Sequence, residues 1–172
     1  KMNADEYKNY ILGFIFYKYL SEALEAYINH SLLASEGYSF SEVDESTEEG
    51  KKVITAVKDA CVAHLGYFLR PTELFSYMVK KGKGEVTGHD NFILENLKNV
   101  LTTIEQTSRG TKSEEDFKGL FDDVDLSSSK LGSGEQKKND VIVEVFVQLN
   151  EINFQLDDTK SDLLGDAYEY LI

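Results

Sequence analysis

Apolar and aromatic residues recur at intervals of three and four from Tyr7 onward, which is the spacing of one face of an α-helix. Asn3 precedes this run and Glu6 follows three residues later, an arrangement typical of a capping box. The pattern predicts a helix that starts at Asn3 and runs to about Leu33, before Gly37. Its apolar positions are Tyr7, Tyr10, Ile11, Phe14, Ile15, Tyr17 and Leu24.

The same periodicity predicts further helices. One covers residues 48–65 and stops at Gly66, with Val53, Ile54, Val57, Cys61 and Leu65 facing inward. Residues 67–70 are predicted to be extended, because Pro71 disfavours helix at the residue before it and suits the first position of a new helix towards residue 81. Later helices are predicted over 90–107, over a short segment capped by Ser113, over 135–149 and over 161–172.

The segments between these helices are polar. Residues 36–50 are acidic and Ser-rich and are predicted to form a loop or flap, residues 80–85 a Gly/Lys loop, and residues 126–134 a Ser/Gly-rich loop. Hairpin turns and strict alternation of apolar and polar residues are weak or lacking in the sequence. The chain is therefore predicted to be all-α, a compact bundle of about six or seven helices with short extended connectors, in a single domain over 1–172.

Composition narrows the range of functions. Of 172 residues, 41% are hydrophobic, which is enough to bury a core. The net charge of −13 argues against unaided DNA binding, since counterion release by basic residues supplies most of that affinity. DNA contact is thus expected to be local or made beside a more basic partner. No apolar run approaches the about 18 residues of a membrane span. The single cysteine, Cys61, fits a reducing cytoplasm.

Candidate binding residues are few. Cys61 and His64 share a helix face, but a structural zinc site usually needs four ligands, and a buried cysteine beside a surface histidine is the commoner arrangement. The glycine-rich stretch 82–88 lacks the spacing of a phosphate-binding loop. Its neighbours Lys80, Lys81 and Lys83 are candidates for contacts with a nucleic-acid backbone. The alternative is a solvated connector.

Two further groups have both a structural and a functional interpretation. The acidic clusters 122–125 and 157–158 could hold a cation or belong to an active site, although such clusters more often cap helices or face water. The aromatic residues of the first helix are expected mainly in the core. They are also candidates for part of an interface, where tyrosine and phenylalanine are enriched: Tyr7, Tyr10, Phe14 and Tyr17.

Several segments, in this order, resemble the N-terminal region of the methyltransferase (modification) subunit of type I restriction-modification systems. They are NADEYKNYILGFIFYKYLS at 3–21, FDDVDLSSSKLG at 121–132 and DLLGDAYEYLI at 162–172, together with GYFLRP at 66–71 and LNEI at 149–152. The resemblance extends over nearly the whole chain.

The resemblance implies a parent enzyme that uses S-adenosylmethionine to methylate adenine N6 in DNA. It implies three protein partners: a specificity subunit that reads the DNA sequence, a restriction subunit and a second modification subunit. The family's active-site motif is Asn-Pro-Pro followed by an aromatic residue, in a Rossmann-like domain. This sequence has one proline, Pro71, so no residue here is assigned to catalysis, cofactor binding or metal binding.

The expected role of such a fragment is non-catalytic. The resemblance implies assembly with the specificity subunit and closure around DNA, with the Rossmann-like methyltransferase domain after residue 172. The uncapped predicted last helix agrees with a chain cut at that boundary. Two alternatives remain: an independent helical interaction or regulatory module, and an enzyme in its own right.

Overall fold

The computed structural model describes residues 3–154, and all regular structure within them is helical. This confirms the predicted all-α bundle. Residues 3–154 contain six α-helices: α1 (Ala4–Tyr27), α2 (Glu48–His64), α3 (Phe75–Gly82), α4 (Leu94–Ser108), α5 (Glu114–Phe117) and α6 (Glu135–Asn150). Short 3-10 turns occupy Phe40–Glu42 and Pro71–Glu73, and α1 continues into a π-helical turn at Ile28–Leu32. Within 3–154, no helix has the length and apolarity to cross a membrane.

Helix α1 begins as its sequence predicts. The Asn3 side chain accepts a hydrogen bond from the Glu6 amide at 2.9 Å, and the Glu6 carboxylate accepts one from the Asn3 amide at 3.2 Å. Both bonds of the capping box are therefore present. With its π-helical continuation, the helical segment ends at Leu32, one residue before the predicted end.

Helix α1 lies at the centre of the domain and is buried on most sides between Tyr10 and Leu24. Its aromatic rings meet those of α3 and α6. Phe14 packs edge-on against Phe146 at 5.0 Å between ring centroids, and Phe75 stacks on Phe146 at 4.8 Å. Such aromatic pairs add to the stabilisation from burial alone. The core is thus built around α1, α3 and α6.

The helix predicted from Pro71 towards residue 81 is instead two pieces. A 3-10 turn at Pro71–Glu73 is followed by Leu74 in an extended conformation, with ψ of 148°, and only then by α3. Side chains of α1 bind the backbone at this break. Tyr17 donates to the carbonyl oxygen of the turn's last residue at 2.6 Å, and Ser21 accepts from the Phe75 amide at 2.8 Å. These tertiary bonds replace the helical ones that the break removes.

Helix α4 begins at Leu94, four residues later than predicted. The Asp90 carboxylate accepts from the Phe92 amide at 3.0 Å, and the buried Asn139 side chain accepts from the Ile93 amide at 2.7 Å. Since these amides are bound by side chains, the segment before α4 stays outside the helix. Helix α6, which carries Asn139, spans the predicted residues and ends one residue later than predicted.

Helix α5 starts directly after Ser113, as predicted, but Ser113 makes no capping bond. Its hydroxyl donates instead to the carbonyl oxygen of Leu65 at 2.8 Å, which ties α5 to the end of α2. Gly66 ends α2 as predicted, with φ of 92°. The helix predicted over 161–172 lies outside the described residues.

Candidate functional site

The three candidate lysines do not form one cluster. Lys80 and Lys83 are exposed, whereas Lys81 is buried at 6% exposure. The Lys81 ammonium donates to the carbonyl oxygen of Phe92 and lies 3.3 Å from the Asp90 carboxylate. Lys81 therefore differs from expectation: its charge is used inside the fold to hold the end of α3 against the segment before α4. The predicted loop also starts later, because α3 extends to residue 82.

The four aromatic candidates are likewise divided. Tyr10, Phe14 and Tyr17 are 7%, 0% and 0% exposed and belong to the core. The hydroxyl of Tyr10 donates to the carbonyl oxygen of Asp125, which fastens the segment after α5 to α1. Only Tyr7, at 45% exposure, presents its ring to solvent among the four. The structure thus leaves Tyr7 as the accessible member of the predicted interface group.

A buried lysine in α1 was not among the sequence candidates. Lys18 is 1% exposed, and its ammonium lies 2.6 Å from the Glu22 carboxylate and 2.5 Å from the carbonyl oxygen of Ile152. The same ammonium lies 4.2 Å from the centroid of the Phe154 ring, a cation–π distance. The signal in the sequence is a charged residue inside an aromatic run. Lys18 fixes the chain that leaves α6 onto the central helix.

Two carboxylates lie on α1 after Lys18. Burial raises the pKa of Glu25 to about 7, and the neighbouring charge of Glu22 raises it further. Burial also raises the pKa of Glu22, although the hydrogen bond and charge of Lys18 oppose that rise. Glu25 is therefore a group that exchanges a proton near neutral pH.

The acidic residues at 122–125 lie on the surface. The Asp125 carboxylate accepts from the Ser127 amide at 3.0 Å, the turn-forming role that such clusters often have. Asp122 and Asp125 also line an open cavity of about 300 Å³ beside α4, together with Lys98 and Arg109. Within 3–154, no group of three or more histidine, cysteine or acidic side chains could hold a metal ion. The second predicted cluster, at 157–158, lies outside this range.

Cys61 and His64 occupy different environments. Cys61 is buried, and burial raises the pKa of its thiol to about 12. His64 is exposed, and its ring stacks on Tyr27 with 4.3 Å between centroids and 12° between planes. Each side chain has a structural role, the thiol in the core and the imidazole on the aromatic ring of α1.

The acidic segment 36–50 is attached to the body of the domain. Phe40 is fully buried, and its amide donates to the Asn29 side chain at 2.8 Å. Further along, the Glu45 carboxylate accepts from the Thr72 amide at 2.7 Å and lies 3.8 Å from the Arg70 guanidinium. The segment is therefore an ordered part of the surface, and α2 already begins within it.

These features define a helical domain in which one long central helix packs against α3 and α6 and binds the turn before α3 and the segments after α5 and α6. Residues 1–149 match the family described as the HsdM N-terminal domain, and the chain belongs to this family. The resemblance seen in the sequence is thereby confirmed.

Two related proteins give the scale of the match. The chain is 31% identical over 171 residues to the type I restriction enzyme MpnII methylase subunit of Mycoplasma pneumoniae, which covers 97% of this chain and 30% of that protein. It also matches the crystal structure of the type I restriction-modification system methyltransferase subunit from Streptococcus thermophilus. There the TM-score is 0.71 and the identity 29%, over 99% of this chain and 34% of the other. The chain thus spans about a third of the length of these relatives.

Proposed function

We propose that this chain is the non-catalytic N-terminal domain of a type I modification methyltransferase subunit, and that its own work is assembly. In this proposal it docks with the specificity subunit and with a second modification subunit, and helps the complex close around DNA. The observation that carries the proposal is the match of residues 1–149 to the HsdM N-terminal domain, in a chain that spans about a third of its methylase relatives.

The chemistry is assigned to the remainder of the parent subunit. That part would bind S-adenosylmethionine and transfer its methyl group to adenine N6 in DNA, in the cytoplasm and in a complex that also includes the restriction subunit. A base that reacts outside the duplex needs a pocket with stacking and hydrogen-bonding groups. We place that pocket in a Rossmann-like domain after residue 172.

The surface offers two kinds of contact for assembly. Lys80 and Lys83 are exposed near the end of α3 and could touch phosphates, which positions a protein without reading sequence. Tyr7 is the exposed aromatic residue of α1 and suits a protein interface. The net charge of −13 favours protein-mediated placement on DNA over independent binding.

The proposal is tested by mixing the purified chain with the specificity subunit, with and without DNA, and measuring complex formation by size-exclusion chromatography with light scattering. A stable complex is expected. Calorimetry with S-adenosylmethionine provides the second readout, for which no binding is expected. Failure to form a complex under both conditions would refute the assembly role, and measurable cofactor binding would refute the non-catalytic assignment.

A further inference from the structure

We propose that a groove beside α2 is a docking site for an arginine- or lysine-bearing segment of a partner protein. The groove has a volume of about 210 Å³ and lies between the loop before α2 and the first turns of that helix. We call it the acidic groove and define it by Tyr38, Val43 and Val53 on its walls and Glu42, Asp44 and Glu49 at its rim. The proposal rests on the assembly role for the identity of the partner.

The walls of the acidic groove suit the stem of a long basic side chain. Tyr38 is 36% exposed, and Val43 and Val53 are partly buried against the core. Lysine and arginine lay their apolar stems on such surfaces while their charged heads stay at the polar edge. An arginine can in addition stack on a tyrosine ring. The volume is below the about 300–1,000 Å³ of small-molecule pockets, so one anchoring side chain fits it better than a cofactor.

The rim supplies the complementary charge. Residues 31–50 include six carboxylates and no lysine or arginine. The ion pairs that the structure describes for this segment join Glu48 to Lys51 and Glu45 to Arg70, and neither involves a rim carboxylate. An incoming cation would therefore meet carboxylates that are not already paired with a cation of the described region. Such complementarity speeds encounter and selects partners by charge.

Hydrogen bonds hold two rim carboxylates in place before any partner arrives. The Asp44 carboxylate accepts from the Ser46 hydroxyl at 2.7 Å and from the Ser46 amide at 2.9 Å, and these bonds lower the pKa of Asp44. The Glu42 carboxylate accepts from the Ser39 hydroxyl at 2.8 Å. Because these donors are neutral, they orient the carboxylates without cancelling their charge. Binding then requires little reorganisation.

The base of the acidic groove is equally well fixed. Thr47 caps α2 by accepting from the Gly50 amide at 2.9 Å. A Cβ atom at Gly50 would lie 1.8 Å from the carbonyl oxygen of Asp44, so the loop rests directly on the backbone of the helix. These contacts make the acidic groove a preformed surface.

The charge of the domain favours a basic partner over a second copy. Two identical chains of net charge −13 repel each other, and the repulsion is strongest where acidic surfaces would meet. A partner segment with one exposed arginine or lysine would have the opposite, attractive interaction. We therefore assign the acidic groove to a different protein of the assembly.

The test compares Glu49→Lys with Glu95→Lys in the 172-residue chain. Both glutamates are exposed and lie in the first turn of a helix, so the two variants share the charge change and the local helix environment. The specificity subunit is titrated into each protein by calorimetry at several salt concentrations. Glu49→Lys is expected to weaken binding about tenfold at low salt and less at high salt, while Glu95→Lys changes it about twofold or less.

Four outcomes decide between the alternatives, with thermal melts to confirm that each variant is folded. Equal effects of the two variants on a complex that does form would overturn the groove and leave the assembly role intact. No complex with the wild-type chain would refute the assembly role instead. In that case the acidic groove is tested by NMR titration with N-acetyl-arginine amide. Chemical-shift changes at residues 38–53 that become smaller in Glu49→Lys support the groove as a binding site. The absence of such changes overturns it. A dimer of the chain that Glu49→Lys dissociates would identify a second copy as the occupant and overturn the proposal.

Discussion

The close approach between Gly66 and the start of α5 makes a sharp test of the fold. Gly66 has φ of 92°, and a Cβ atom added there would lie 2.2 Å from the Ser113 hydroxyl oxygen. That hydroxyl donates to the carbonyl oxygen of Leu65, and the Thr111 hydroxyl donates to the carbonyl oxygen of Gly66 at 3.0 Å. Gly66→Ala must therefore strain the backbone and also displace the serine that joins α5 to α2.

The magnitude follows from these two effects. An alanine in the left-handed region costs about 1–2 kcal/mol. Displacing Ser113 loses a hydrogen bond and leaves a buried carbonyl without its donor, which costs about 1–3 kcal/mol more. We expect Gly66→Ala to lower the free energy of unfolding by about 3–4 kcal/mol, which lowers the melting temperature by about 10 °C in a domain of this size.

Gly110→Ala is the matched control. Gly110 has φ of 77° and no heavy atom within 4 Å of an added Cβ, so this variant retains only the backbone strain. The effect of either substitution on the unfolded chain is the same and cancels in the comparison. Urea unfolding followed by circular dichroism measures both variants. The reasoning is refuted if Gly66→Ala costs no more than Gly110→Ala, or if adding Ser113→Gly to Gly66→Ala is fully additive.

Three further predictions concern buried polar groups. Lys18→Met removes the donor to the Ile152 carbonyl. We expect the free energy of unfolding to fall by about 1–3 kcal/mol and amide hydrogen exchange at residues 150–154 to become faster. Unchanged exchange would contradict the role of Lys18 in holding this segment on α1. Asn139→Leu leaves the Ile93 amide and the Asn91 carbonyl without their hydrogen-bond partners. We expect it to lower the free energy of unfolding, measured with urea, by about 2–4 kcal/mol, and a loss below about 1 kcal/mol would contradict the role of Asn139. The raised pKa of Glu25 lies above its unfolded value, so its neutral form stabilises the fold at low pH and this contribution is lost as pH rises through about 7. Glu25→Gln should accordingly stabilise the domain at pH 8 by on the order of 1 kcal/mol after solvent screening and have little effect at pH 4, and equal melting temperatures at pH 8 would contradict this.

Features with local causes were predictable from the sequence. The start of α1 depends on Asn3 and Glu6, three residues apart, and both bonds of the capping box are present. The sequence predicts the start of α4 too early because the cause of the later start is distant: Asn139, which accepts from the Ile93 amide, lies 46 residues further along the chain. Sequence periodicity cannot report a hydrogen bond between residues so far apart.

The candidate site shows the same division. The acidic character of residues 36–50 is a property of composition and can be read directly from the sequence. Tyr38 and Val53 of α2 line the same groove because the loop before α2 folds back onto that helix. This tertiary contact cannot be predicted from hydrophobic periodicity or composition. The lysines differ in exposure although they are adjacent in sequence: Lys80 is exposed and Lys81 is buried. Composition alone does not distinguish them.

The position of α1 at the centre of the core has a consequence for synthesis on the ribosome. The side chains of α1 are made first. Tyr17, however, donates to a carbonyl oxygen 56 residues further along the chain, and Lys18 donates to a carbonyl oxygen 134 residues further along. At a synthesis rate of about 5–20 residues per second, the ammonium of Lys18 lacks its carbonyl acceptor for on the order of 10 s after Lys18 is made. Until α6 is made, the part of the aromatic face that Phe146 covers lies open to chaperones or to other nascent chains. The domain therefore completes its core only when nearly all of it has emerged from the ribosome. Its folding rate is expected to depend on contacts between residues far apart in the sequence.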